Sequence, residues 1–140
     1  MRALIVLLFF VAVSAAQAQN TPVGLWKTVD DNTGQEKSLV RISESAGVAS
    51  GRIDKLLHPS HPNPVCEKCR DDRHGKPMEG LSIIDGVRQH GDVWEGGKIL
   101  DPGNGKIYTV RLKLLDGGRR LEVRGYIGPF FRTQIWSRVE

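Results

Sequence analysis

Five side chains with metal-binding or redox chemistry crowd one short stretch of the chain: His58, His61, Cys66, Cys69 and His74. Two thiolates separated by two residues can face one ion, and neighbouring imidazoles can complete a tetrahedral set. The pair stands alone, however, with no second Cys-x-x-Cys and no His-x3–5-His arm. The same cysteines can instead close a disulfide across a single turn, the plainer chemistry for a chain that leaves the cytoplasm. A redox-active pair is a third reading. It calls for a βαβ setting and a helix N-terminus to lower a thiol pKa, and the surrounding pattern offers neither.

Elsewhere the inventory is sparse. Asp30-Asp31 and Asp71-Asp72 are adjacent carboxylates, whose side chains diverge in a strand or turn, so they read as turn formers rather than an acid/base couple. There is no Gly-x-Ser-x-Gly elbow, no phosphate-cradling glycine loop and no His-Glu-x-x-His. No cofactor is called for, and an enzyme is the weaker class. Trp94, Tyr108, Tyr126 and Phe130 are the aromatics that would line a ligand site if the domain encloses one; filling a small core is the competing role.

The elements that must hold these residues are strands. Residues 1–18 read separately, as a secretory signal: Arg2, an apolar run from Ala3 to Val13, and Ala16-Gln17-Ala18 as a cleavage box. Residues 19–140 then form one domain, long enough for a single core. Its pattern is short and alternating, with strands expected over 24–29, 37–43, 49–56, 81–84, 88–94, 98–100, 106–115, 121–126 and 130–139. Gly96-Gly97 reads as a tight reversal, and Asn104-Gly105 and Asp116-Gly117-Gly118 as hairpin turns. Between Leu57 and Met78 the alternation stops. His58-Pro59-Ser60-His61-Pro62-Asn63-Pro64 cannot continue a ladder, and Val65 to Arg73 has room for one helical turn. Few backbone hydrogen bonds are expected there. Eight or nine short antiparallel strands joined to their neighbours, with one long Pro-rich loop, point to an all-β up-and-down barrel; a two-sheet sandwich is the alternative.

Charge narrows the partners. The chain carries 20 Lys/Arg against 16 Asp/Glu, net +4. The surplus lies after Asp85, yet bases and acids alternate there without forming a block. That is the dress of solvated strand faces with a mild pull toward anionic surfaces, and it excludes a nucleic-acid binder.

Several ordered motifs together resemble one family: Gly24-x-Trp26, Gly51-Arg52-Ile53, Gly80-Leu81, Gly96 to Pro102 with Asn104-Gly105-Lys106-x-Tyr108, Arg124 to Gly128, and Arg132-Thr133-Gln134-x-Trp136. It is a family of small exported bacterial proteins of unknown function, grouped with the lipocalin-like (calycin) barrels. The resemblance spans Gly24 to Arg138 and implies a lipocalin-like antiparallel barrel. Gly24-x-Trp26 looks like the lipocalin first-strand signature, whose tryptophan meets a late arginine. Gly24, Trp26, Arg132, Trp136 and Arg138 are therefore the expected closure group, with Arg132 or Arg138 over Trp26. The function expected is a periplasmic or secreted, non-enzymatic binding protein for a small apolar or amphipathic molecule. An envelope-associated interaction module with a solid core is the alternative, and a metal-binding or enzymatic loop site stands behind both. Neither a nucleic-acid partner nor a membrane span is expected.

Overall fold

The computed structural model describes residues 20–140; the expected secretory signal lies outside them. Eight antiparallel strands follow one another around a closed barrel: β1 Gly24–Val29, β2 Glu36–Ser45, β3 Val48–Leu56, β4 Ser82–His90, β5 Val93–Asp101, β6 Lys106–Leu115, β7 Arg120–Ile127 and β8 Phe130–Arg138. Each strand pairs with its sequence neighbour, and β1 returns to β8. The period-2 pattern decides which face turns in: Val40 and Ile42, Ala49, Gly51 and Ile53, Val110 and Leu112, and Leu121 and Val123 are buried, while the residues alternating with them are on the outer face. The β1–β8 pairing closes one continuous sheet around the core, where a sandwich would face two separate sheets across it.

One end is sealed by a short sequence with strict geometry. Trp26 is fully buried and donates from Nε1 to the Pro22 carbonyl at 2.8 Å. The Arg138 guanidinium lies 4.3 Å from its ring centroid. Its nitrogens donate to the carbonyls of Gly118 (2.6 Å), Val23 (2.8 Å) and Thr21 (2.7 Å), so one side chain ties the N-terminal approach to the β6–β7 connection. Gly24 sits at φ 147°, and a Cβ there would collide with the Glu140 carbonyl and Arg138. Two members of the expected closure group lie elsewhere. Arg132 is on the half of β8 near the opposite end, and Trp136 points into the barrel between the two ends, because five residues of strand separate Arg132 from Arg138.

Two expected boundaries are corrected. Gly96-Gly97 is not a reversal: both residues lie inside β5, where the register to β6 shifts between Trp94 and Gly97. Gly86 on β4 (φ 72°) abuts Gly97, whose absent Cβ would strike the Asp85 carbonyl, so these glycines let two strands approach at a bulge. The true reversal is Gly91-Asp92, inside the stretch expected to be one strand over 88–94. Nor does Val65 to Arg73 form a helical turn; the segment carries an isolated Val65–Pro77 bridge, and the one short helical element described is the 3-10 turn Asp116–Gly118.

Candidate ligand cavity

Up-and-down connectivity puts the β1–β2, β3–β4, β5–β6 and β7–β8 connections at the end opposite Trp26 and Arg138. Between them opens a cavity of about 770 Å³. Its floor and walls are apolar: Val40, Ile53, Ile83, Leu100, Val123 and Trp136. The hydroxyls of Thr28 and Ser38, both buried, share one hydrogen bond at 2.7 Å in the wall. The mouth is polar and charged. Arg132 donates from Nη2 to Asp101 Oδ2 at 2.7 Å, and its Nε lies 3.4 Å from Asp31 Oδ2. Asp31 also accepts from Gln134 Nε2 at 2.9 Å, and Gln134 in turn accepts from Trp136 Nε1 at 3.0 Å. Tyr108 stands under the Arg132 guanidinium at 5.7 Å, its hydroxyl taking a hydrogen bond from Asn104. The hydrogen bond to Asp101, with the charges of Asp101 and Asp31, holds Arg132 above its ordinary pKa, so the mouth keeps a fixed cation between two carboxylates.

Local sequence explains how these groups reach the mouth. Asp101 ends β5, and its Oδ1 accepts the Gly103 N–H at 2.8 Å to start the β5–β6 turn. Gly105 (φ 74°) presses against the Lys68 carbonyl, so a side chain there would displace the long loop. That loop carries the cysteines, and they are joined: Cys66 and Cys69 form a disulfide with 5.5 Å between Cα atoms, both buried in the core cluster. The loop is also better bonded than its prolines suggest. Cys66 N–H donates to Lys76, Gly75 to Cys66 and Met78 to Pro64. Arg73 grips both carboxylate oxygens of Asp71 and reaches the Ser82 carbonyl at 2.8 Å. These bonds fall to residues flanking the prolines, which supply the donors that proline lacks.

The alternative metal site at His58, His61, Cys66, Cys69 and His74 is not assembled. Its sulfurs are bonded to each other, His58 and His61 are exposed, and His74 bonds through Nδ1 to the Cys69 carbonyl at 3.0 Å. Among the described residues no three His, Cys, Asp or Glu side chains are placed to hold an ion. Ser60 Oγ and His61 Nδ1 approach to 3.2 Å on the exposed loop, a contact between neighbouring residues.

A family model described as "uncharacterized protein conserved in bacteria (DUF2147)" matches residues 24–138. The chain belongs to this DUF2147 family. Among solved structures it is similar to protein HP1028 from the human pathogen Helicobacter pylori, described as belonging to the lipocalin family, with a TM-score of 0.74 at 16% identity over 87% of this chain and 85% of that one. That likeness is one of fold. No curated protein matches.

For this DUF2147 barrel, the four aromatics singled out as ligand-lining part company. Tyr108 lines the cavity. Phe130 lies outside it, in a shallow groove at the mouth with Lys106, Ile127 and Phe131. Trp94 is packed in the core near the start of β5, and Tyr126 faces outward across from Phe131. Arg132 and Trp136, expected at the closure, belong to the cavity instead. Asp31, read from its pair with Asp30 as a turn former, stands at the mouth with Asp101, while Thr28 and Ser38 lie in the cavity wall with no sequence signal for it. Aspartates beside Pro-Gly or Asn-Thr-Gly read as turn formers, and the alternation that turns Thr28 and Ser38 inward says nothing about whether space lies beyond them.

Proposed function

We propose that this DUF2147 protein is an exported, non-enzymatic carrier of a small amphipathic molecule. The apolar body of that molecule lies against Val40, Ile83, Val123 and Trp136, and its polar head meets Arg132, Asp31 and Asp101. The observation that carries the reading is the cavity of about 770 Å³, apolar within and polar at its mouth, a size and character typical of small-molecule sites. The buried disulfide supports an oxidising compartment, in keeping with the leader-like residues 1–18. The solid-core alternative has less support, since Val40, Ile53 and Val123 border open volume. Native mass spectrometry of protein isolated from cells, followed by thermal shifts of ligand-stripped protein with fatty acids and envelope lipids, tests the proposal. A bound small molecule and a raised melting midpoint are expected. An empty protein that no amphiphile stabilises would sink it.

A further inference from the structure

Seven large apolar side chains are exposed among the described residues, and five of them, Ile107, Ile127, Phe130, Phe131 and Ile135, lie on β6, β7 and β8. The most exposed are Phe130 (77%) and Phe131 (60%), just after the Gly128-Pro129 turn. Cations are interleaved with them. On the outer face Lys98, Thr109, Tyr126 and Phe131 are directly paired across β5 to β8, and the next row is Arg111, Arg124 and Thr133. The Arg124 guanidinium lies 4.9 Å from the Phe131 ring centroid and Arg111 lies 6.0 Å from that of Tyr126. Arg124 donates to Thr133 at 2.8 Å, with Glu122 farther off at 3.8 Å, and Lys98 donates to Thr109 rather than to a carboxylate.

We propose that the β7–β8 tip and its basic flank dock this protein on an anionic lipid bilayer, with the cavity mouth beside the membrane. An aromatic pair protruding from a turn is suited to entering the headgroup region, where water no longer surrounds the rings. Lys98, Lys106, Arg111 and Arg124 would face the negative surface potential of anionic headgroups. The groove lined by Phe130, Phe131 and Ile127 shares Tyr108 and Arg132 with the large cavity, so the tip adjoins the polar mouth directly. Docking goes beyond the carrier reading and rests on the outer surface: a protein that holds an amphiphile yet ignores vesicles would overturn docking alone.

The test is sedimentation of protein isolated from cells with vesicles of phosphatidylcholine alone or mixed with phosphatidylglycerol, at low and high salt. Binding to the phosphatidylglycerol vesicles, weakened by salt, is expected. F130S/F131S should reduce it by about tenfold or more, with only a small change in melting midpoint because both rings are mostly exposed. K106E/R124E should remove the preference for anionic lipid. Equal binding to both vesicles, or a tip variant that sediments like the wild type, overturns the proposal. So does self-association without lipid that F130S/F131S abolishes, since the face would then join two copies of this chain.

Discussion

Arg138 does three jobs with one planar group. It covers Trp26, it binds three carbonyls, and it sits where Gly24 leaves no room for a side chain. Arg138→Ala would leave those carbonyls short of a donor and uncover the indole, at a cost of about 2–4 kcal/mol. A melting midpoint lower by roughly 10 °C is the expected reading, and Arg138→Lys should recover little, because an ammonium cannot span three acceptors in a plane. Asp71 makes a pH prediction. Its hydrogen bonds to the Arg73 side chain and backbone lower its pKa from 3.8 to about 2. A carboxylate with a depressed folded-state pKa stabilises the fold above its unfolded value and loses that contribution as pH falls through the folded one. The loop should therefore keep its protease resistance down to about pH 4 and lose it toward pH 2. Asp71→Asn should be cut readily already at pH 4; equal pepsin cleavage of the two proteins across that window would dismiss the idea.

Among the elements, the two-residue β2–β3 turn is the least well served by its sequence. Ala46 and Gly47 both have positive φ, 50° and 80°, the pattern of a type I′ hairpin, in which asparagine is favoured at the first position. Ala46→Asn should stabilise the protein by about 0.5–1 kcal/mol, read by chemical denaturation; no gain would mean that the turn is not held as described. The long loop makes the converse case. Its crosslink spans only a few residues, so it removes little unfolded-chain entropy. Replacing both cysteines with Ala should lower the melting midpoint by only about a few degrees while hastening proteolysis between Leu57 and Met78. Intact protein should weigh two hydrogens less than its reduced form, and free thiols in protein isolated from cells would contradict the disulfide.

At the scale of the molecule, the weakest seam of the barrel is the one that closes it. β1 and β8 share only two paired positions, Trp26 with Arg138 and Lys27 with Ser137. Toward the mouth the strands are joined by side chains, with Asp31 holding Gln134 and Arg132. Hydrogen exchange should therefore be faster at the mouth-side end of β1 than in the middle of β6, where Thr109, Val110 and Leu112 are paired with both β5 and β7. Asp31→Ala should hasten exchange in β1 and β8 and leave β6 unchanged; a uniform change would show that the seam is not a separate unit. The seam borders the cavity through Thr28, Val29 and Gln134, so any ligand held there would slow the same amides.

Much of this was legible in the chain because it is local. Alternation over 106–115 and the Asn104-Gly105 turn announce antiparallel hairpins, and the resemblance carried by Gly24-x-Trp26 with a late arginine implied the barrel and its sealed end. Turn and bulge glycines are harder to tell apart. Gly96-Gly97 resembles a reversal until Gly86 is seen packed against it, while Gly91-Asp92 turns the chain inside what reads as one strand. The choice between a disulfide and a metal at Cys66 and Cys69 depended on how the loop folds over the β5–β6 turn. The cavity was beyond the sequence altogether. Whether Thr28, Val40, Val123 and Trp136 meet each other or border empty space depends on strands far apart in the chain closing at one radius, and no spacing along the chain encodes that distance.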